Sequence, residues 1–192
     1  MRHVTGVLEI CLLAALLAWV SLELRQALHV RREARTSDQG SIAGLRVAAL
    51  VGFLGGALLG KAVPAATIGP LAVVGWIGLG MLIGGVALRA WCFHTLGHYF
   101  TVTVQTSADQ PVITAGPYRV LRHPSYAGLL LALLGVATVS MRNWLSLLVV
   151  AVAVGGGLAY RIRVEERALL RDLGADYRAY AATHKRLVPF VW

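Results

Sequence analysis

Residues that could do chemistry are concentrated in two stretches of the sequence. The first, from Ala87 to Pro124, joins two apolar segments and places these polar side chains in one connector: Arg89, His94, His98, Gln105, Thr114, Tyr118, Arg122 and His123. A connector of about 30 residues is long enough to suspect function. The second stretch runs from Arg161 to Arg167 and contains two consecutive carboxylates, Glu165 and Glu166. We therefore expect the chemistry of the chain in these two stretches.

The sequence Arg122-His-Pro-Ser-Tyr126 predicts an anion site. Pro124 lies where the first turn of a helix is expected, a position that tolerates proline and leaves the preceding residue extended. His123 then lies at a helix N-terminus, where free amides and the helix dipole attract negative charge. The ligand is expected to carry a carboxylate or a phosphate.

Several other chemistries lack the residues that they need. His94 and His98 share a predicted helix face, but no glutamate lies between them and no third ligand is evident, so no metal site is expected. The sequence contains neither a Gly-x-Ser-x-Gly elbow nor a complete Gly-x-x-x-x-Gly-Lys-Ser/Thr phosphate loop. Cys11 and Cys92 lie inside apolar runs and are typical of small hydrophobic core residues.

The elements that must position these residues are predicted to be membrane helices. Of the 192 residues, 57% are hydrophobic and only 14% are charged, which is unlike a soluble globular domain. About 20 apolar residues cross the bilayer as a helix, because backbone amides must be satisfied within the segment. The sequence predicts an all-α polytopic protein with five spans, at Val4–Leu22, Leu45–Val63, Leu71–Cys92, Tyr126–Met141 and Trp144–Tyr160.

The last two predicted spans form a C-terminal helical hairpin that turns at Arg142 and Asn143. The fifth helix has no breaker after Tyr160 and should continue into the cytoplasm. The hairpin then brings Glu165 and Glu166 near the start of the fourth span. The alternative interpretation is local, because these carboxylates could pair along their own helix with neighbouring arginines.

Glycines spaced four residues apart predict close helix packing. They are Gly52, Gly56 and Gly60 in the second span, and Gly80 and Gly84 in the third.

The distribution of basic residues predicts the orientation. Of 18 Lys and Arg residues, the segment 25–46 carries five, the segment 89–124 three and the tail after Tyr160 seven, all on one predicted side. The positive-inside rule then places the N-terminus outside and the C-terminus in the cytoplasm, in a plasma or inner membrane. The net charge of +9 in so apolar a chain favours anionic lipids as partners rather than nucleic acid. The first segment is interpreted as a span rather than a signal peptide. The role of Glu9 within it stays open.

Several motifs in order resemble the isoprenylcysteine carboxyl methyltransferase family of integral membrane methyltransferases. The resemblance covers roughly residues 86 to 190. Its motifs are Leu88-Arg89, Leu96-Gly97-x-x-Phe100, Gln105, Ile113-Thr-x-Gly116-Pro-Tyr118, Arg122-His-Pro-x-Tyr126-x-Gly128, Glu165-Glu-x-x-Leu169, Gly174-x-x-Tyr177-x-x-Tyr180 and Pro189. It implies transfer of a methyl group from S-adenosylmethionine, with S-adenosylhomocysteine as the product, to the carboxylate of an isoprenylcysteine-like molecule that enters from the bilayer.

The resemblance also implies a cofactor site on the cytoplasmic side. Arg122 and His123 suit the cofactor carboxylate, and Glu165 or Glu166 suits the ammonium or the ribose hydroxyls. Aromatic and apolar side chains would wall the adenine and favour the sulfonium. The full expected set is Gln105, Val112, Ile113, Gly116, Tyr118, Arg122, His123, Pro124, Tyr126, Glu165 and Glu166.

Two residues are expected to act in catalysis, Arg89 and Glu166. Arg89 ends the third span and would orient the acceptor carboxylate, although an arginine there could also simply reach the interface. The chain is expected to be one membrane domain, in which residues 1–85 form a scaffold and substrate cleft and residues 86–192 form the methyltransferase core. The alternatives are an NADPH-dependent sterol or enone reductase and a membrane scaffold without catalytic activity.

Overall fold

Five long helices make up most of the protein. The computed structural model describes residues 2–27, 35–36, 38–100, 105–106, 111–188 and 192. The helices are α1 (Arg2–Ala27), α2 (Ser41–Ala62), α3 (Leu71–Leu96), α4 (Pro124–Met141) and α5 (Trp144–Thr183), joined in part by short 3₁₀ turns at Pro64–Ala66, Gly97–Tyr99 and Gly116–Arg119. All five are long and apolar enough to cross a membrane. The all-α prediction is confirmed.

One small sheet was not expected from the sequence. Strand β1 (Arg35–Thr36) pairs antiparallel with β2 (Gln105–Thr106), so that Arg35 lies opposite Thr106 and Thr36 opposite Gln105. Each strand has two residues, too few for a sequence pattern to reveal. The pair nevertheless joins the connector before α2 to the connector after α3.

The helices pack as two pairs, α3 with α4 and α2 with α5. In the second pair, Gly52, Gly56 and Gly60 face α5 as predicted, and an added Cβ at Gly60 would lie 2.8 Å from Ser146 Oγ. In α3 the prediction is wrong. An added Cβ at Gly80 would meet nothing within 4 Å and one at Gly84 only a leucine side chain at 3.8 Å, whereas one at Gly85 would lie 2.5 Å from backbone atoms of α4.

The turn between α4 and α5 is built by two residues. Arg142 adopts a left-handed conformation with φ 46° and ends α4. Asn143 caps α5, because its Oδ1 accepts hydrogen bonds from the amides of Leu145 and Ser146, each 3.1 Å long. The Asn143 side chain also donates to Val63 O at 2.8 Å, which ties the hairpin to the end of α2.

Helix α5 extends well beyond its apolar part, which ends near Tyr160, as the absence of a helix breaker predicted. Gly174, with φ 54° and ψ −118°, interrupts the helical conformation near its C-terminal end. Residues 184–188, the C-terminal segment, then return along the residues before α4. Large apolar side chains such as Ile10 and Leu58 are 70% exposed on the outer faces, as expected for contact with lipid.

Candidate active site

The beginning of α4 and the middle of α5 meet, and their polar side chains bond to each other across the hairpin. The Tyr126 hydroxyl donates to Glu165 Oε2 over 2.6 Å. Arg122 Nη1 lies 2.7 Å from Glu166 Oε1. The two carboxylates thus bond to residues at the start of α4 or just before it, about 40 positions earlier in the chain, as the predicted hairpin requires.

Glu166 binds three basic side chains. Besides Arg122, its Oε1 lies 3.4 Å from His123 Nε2, and its Oε2 accepts a 2.8 Å hydrogen bond from Arg186 Nε. Burial alone would raise the pKa of Glu166, but the hydrogen bonds to His123 and Arg186 and the charge of Arg122 outweigh it and hold the pKa below its ordinary value. Glu166 is therefore a buried, ionised carboxylate held by two arginines and a histidine.

Glu165 has a different environment. Its side chain is 29% exposed, against 8% for Glu166. Its Oε2 accepts the Tyr126 hydroxyl and lies 3.8 Å from His123 Nδ1. The rings of His123 and Tyr126 stack with centroids 5.7 Å apart. Glu165 is thus the more accessible of the two carboxylates.

Arg161 extends this network toward α2. Its guanidinium is buried, and its Nε donates to the Tyr126 hydroxyl over 2.8 Å. Its Nη1 donates to Asp38 Oδ1 and to Ser41 Oγ, each at 2.9 Å. These hydrogen bonds therefore do not follow the local alternative, in which Glu165 and Glu166 would pair with arginines of their own helix.

The backbone before α4 differs from the expected open anion site. The amide of Arg122 donates to Lys185 O over 2.8 Å, and the amide of His123 donates to Arg186 O over 2.9 Å. Both amides are therefore already hydrogen-bonded to carbonyl oxygens of the C-terminal segment. Charged side chains, rather than these amides, must then provide any attraction for an anion.

The turn that precedes α4 holds Tyr118 in place. Tyr118 is buried, and its carbonyl accepts a 2.6 Å hydrogen bond from the Tyr180 hydroxyl. Burial, reinforced by nearby Cys92 and Glu165, raises the pKa of Tyr118, so the phenol stays neutral. Gly116 has φ +55°, a backbone conformation that residues with a side chain rarely adopt. An added Cβ would lie 2.9 Å from Thr95 Oγ1, so the turn packs closely on α3 at a position that favours glycine.

The remaining expected cofactor residues are less tightly defined. Val112 and Ile113 are half-buried in the irregular segment before the turn, and Pro124 is buried at the start of α4. The backbone of Gln105 lies in β2. Its side chain lies outside the described part of the structure, as does that of His98.

Arg89 lies apart from this network. Its Nε and Nη2 bind the two oxygens of Glu23 in α1, at 2.6 and 2.8 Å, and its Nη1 donates to the carbonyl and hydroxyl of Ser125, both at 3.0 Å. The guanidinium also lies over the Phe93 ring. Its role with an acceptor carboxylate stays a prediction, and in this structure the side chain joins α1, α3 and α4.

Sequence reasoning missed Asp38 and Arg186, and it treated Arg161 only as a possible salt-bridge partner. A signal was available for two of them. Asp38 precedes the first turn of α2 at a capping distance, and Arg161 is the first charged residue after the apolar part of α5. Arg186 lies in a polar segment without periodicity, where its sequence context contained no such signal.

Two donors at the site have no hydrogen-bond partner among the described residues. They are Arg122 Nε and the Tyr177 hydroxyl, and both atoms are buried. Burial and the neighbouring glutamates raise the pKa of Tyr177, so it also remains a neutral donor. Buried donors of this kind are uncommon and often mark a place where a ligand or water binds.

The comparisons with known proteins concern the same part of the chain. The model of the isoprenylcysteine carboxyl methyltransferase (ICMT) family matches residues 76–171, half of the chain. This range contains α4, Arg161 and both glutamates, whereas Asp38 and Arg186 lie outside it.

Individual relatives that resemble this chain are named protein-S-isoprenylcysteine O-methyltransferases. Protein-S-isoprenylcysteine O-methyltransferase B of Arabidopsis thaliana is 36% identical over 121 residues, 60% of this chain and 61% of that protein. The Saccharomyces cerevisiae protein-S-isoprenylcysteine O-methyltransferase is 32% identical over 60% of this chain and 48% of its own length. The matches therefore span about half to three fifths of these relatives.

A solved structure agrees with the fold. The eukaryotic intramembrane Ras methyltransferase ICMT superposes with a TM-score of 0.60 at 28% sequence identity, over 76% of this chain and 52% of that one.

Proposed function

The chain belongs to the isoprenylcysteine carboxyl methyltransferase family, and we propose that it is a membrane methyltransferase that uses S-adenosylmethionine. We infer that its acceptor is the carboxylate of a lipophilic, isoprenylcysteine-like molecule. The observation that carries this proposal is the polar network across the α4–α5 hairpin, in which Tyr126, Glu165, Arg122 and Glu166 are bonded to one another in pairs.

The residues at the hairpin fit S-adenosylmethionine by their chemistry. The partly exposed Glu165 carboxylate suits an ammonium or ribose hydroxyls. Arg122 provides positive charge, and the stacked rings of His123 and Tyr126 provide an aromatic surface. Arg122 Nε and the Tyr177 hydroxyl are donors without partners among the described residues, as expected beside a polar ligand.

The proposed reaction requires no general acid or base from the protein. When bound, S-adenosylmethionine supplies a methyl group on a positively charged sulfur. A carboxylate acceptor is already ionised, so no side chain of this chain has to remove a proton. Tyr118, Glu165 and Tyr126 would instead hold the reactants in line and exclude water between opposite charges. Glu166 would act by keeping Arg122 and His123 in place.

The acceptor side of the site is less defined than the cofactor side. Arg89 is the predicted partner of the acceptor carboxylate, and its bonds to Glu23 and Ser125 would have to be shared or exchanged for it to act so. Residues 1–85 are proposed to supply the scaffold and the lipid-facing cleft, and residues 86–192 the methyltransferase core. The N-terminus is proposed to lie outside a plasma or inner membrane and the cofactor site on the cytoplasmic face, by the positive-inside rule.

Isothermal titration of the detergent-purified protein with S-adenosylhomocysteine tests the cofactor assignment, and NADPH is titrated in parallel. S-adenosylhomocysteine is expected to bind. Glu165→Gln should weaken that binding by about tenfold or more, because a charge-assisted hydrogen bond is lost. The control Asp176→Asn removes an exposed carboxylate from the same helix and should leave the affinity within about twofold.

Binding of NADPH instead of S-adenosylhomocysteine would favour the reductase, and binding of neither would favour the scaffold. The acceptor is tested by transfer of a radiolabelled methyl group to farnesylated cysteine, with lipophilic thioether acids and phospholipids as competing candidates. A label found only in phospholipid would contradict the proposed acceptor and leave the cofactor assignment intact.

A further inference from the structure

Asp38 is a buried carboxylate that belongs to the N-terminal half of the chain, outside the part that matches the family model. Its Oδ2 accepts the amide of Ile42 over 3.3 Å and its Oδ1 the Ser41 hydroxyl over 2.9 Å, so it caps the start of α2. The same Oδ1 accepts Arg161 Nη1 over 2.9 Å. The capping carboxylate therefore also forms an ion pair with α5, although Asp38 and Arg161 are 123 positions apart in the chain.

Arg161 also donates a hydrogen bond to Tyr126, and this bond determines where the tyrosine proton can go. Its Nε donates to the Tyr126 hydroxyl over 2.8 Å, and the guanidinium lies 5.7 Å from the centroid of the same ring. A tyrosine hydroxyl has one proton and can both accept and donate. Because it accepts from Arg161, its proton is available for Glu165 Oε2, which lies 2.6 Å away. Arg161 thus donates in two directions, to Asp38 on one side and, through the Tyr126 hydroxyl, toward Glu165 on the other.

A second observation places the connector before α2 at the same site. Thr36 in β1 lies opposite Gln105 in β2. Two residues beyond Thr36, Asp38 contacts Arg161. The described residues of this connector therefore border the site, Thr36 through the backbone beside Gln105 and Asp38 through the Arg161 side chain.

We propose that Asp38 is a positioning residue of the methyltransferase, which holds Arg161 so that Tyr126 orients Glu165 toward the cofactor. This inference rests on the proposed function. Without the Asp38 carboxylate, the buried guanidinium of Arg161 loses the partner that fixes its position, and the Tyr126 hydroxyl loses a well-placed donor. The expected consequence is that Tyr126 no longer directs its proton to Glu165 and that Glu165 is less well oriented for the cofactor.

The test measures the affinity for S-adenosylhomocysteine of the full-length protein in detergent. Asp38→Asn keeps the size and the capping oxygen but removes the charge, and it should weaken binding by about tenfold. Ser41→Ala, which leaves both charges paired, should weaken binding only about two- to threefold. Asp172→Asn is the control, because Asp172 pairs with the exposed Arg171 and should leave binding unchanged.

A double-mutant cycle separates positioning from a purely structural role. In a Tyr126→Phe background the chain from Arg161 to Glu165 is interrupted, so adding Asp38→Asn should change the affinity by less than about twofold. A structural role would instead give the full effect in both backgrounds, with a parallel fall in the thermal unfolding temperature, and that result would overturn the proposal.

The outcomes also distinguish this inference from the function on which it rests. Wild-type protein that binds S-adenosylhomocysteine, together with Asp38→Asn protein that binds it equally well, overturns the positioning role alone. Wild-type protein that does not bind it overturns the proposed function, and the positioning role with it.

Discussion

Two buried arginines bond to neighbouring residues in the first turn of α4, and they differ in what else they connect. Arg89 of α3 bonds to Ser125 and to Glu23 of α1. Arg161 of α5 bonds to the neighbouring Tyr126 and to Asp38 before α2. In each case a carboxylate from the N-terminal half neutralises an arginine of the family-matched region.

The difference lies beyond the arginine. The chain of contacts from Arg161 continues through the Tyr126 hydroxyl to a partly exposed carboxylate, Glu165. Arg89 reaches a backbone carbonyl and a serine hydroxyl that begin a membrane helix. Similar ion pairs therefore have different expected effects: the Arg161 cluster should change ligand binding, and the Arg89 cluster should change mainly stability.

Replacement of Arg161 by alanine is expected to have the largest effect. It leaves the buried Asp38 carboxylate without this partner, which should reduce the free energy of unfolding by about 3–5 kcal/mol. Binding of S-adenosylhomocysteine should also be lost, because Tyr126 and Glu165 are no longer held in place. Thermal unfolding and calorimetric titration in detergent measure the two effects. Arg163→Ala, an exposed position two residues away, is the control and should change neither.

Glu23→Gln tests the Arg89 cluster, because it removes the carboxylate that pairs with Arg89. The Arg89 guanidinium keeps its bonds to Ser125 but loses its counter-charge, and the unfolding free energy should fall by about 1–3 kcal/mol. Affinity for S-adenosylhomocysteine should stay within about twofold of wild type. A rise of the acceptor KM in Glu23→Gln, with cofactor affinity unchanged, would favour the predicted role of Arg89 at the acceptor carboxylate. A large loss of cofactor affinity would contradict the separation of the two clusters.

Acid should weaken the cluster around Glu166, and this effect should be the smallest of the three. The pKa of Glu166 is held below its ordinary value in the folded protein, so protonation opposes folding. The stabilisation from Glu166 is complete above the ordinary pKa of glutamate and is lost as the pH falls through the lower value in the folded state. The difference in unfolding temperature between wild type and Glu166→Gln should therefore shrink below about pH 4.3. A difference that stays constant down to pH 3 would show that the Glu166 charge contributes no stability.

Much of the helical framework was predictable, because each apolar run must satisfy its own backbone amides in the bilayer. The approach of Glu165 and Glu166 to Arg122 and His123 was predictable as well, since a hairpin with a two-residue turn brings its two open ends together. The choice of partners was not. Local spacing allowed Glu166 to pair along its own helix, whereas in the structure it binds Arg122 and Arg186.

The glycines illustrate the same limit. A spacing of four residues correctly indicated the packing face of α2 but selected the wrong face of α3, where Gly78 and Gly85 contact α4. Residues 71–88 of α3 are apolar on every face, so polarity does not distinguish the helix side from the lipid side. Only the fit of one backbone against another decides which glycines lie at the contact.

The sequence by itself determined the five helices, the hairpin and the residue types available at its open end, because these follow from hydrophobicity and local chain geometry. The tertiary structure alone decided that Arg89 pairs with Glu23 and Arg161 with Asp38, across 66 and 123 positions of the chain. A buried charge takes the counter-charge that helix packing brings within hydrogen-bond distance. For Arg161, that packing also connects the N-terminal half of the protein to the Glu165 carboxylate of the proposed cofactor site.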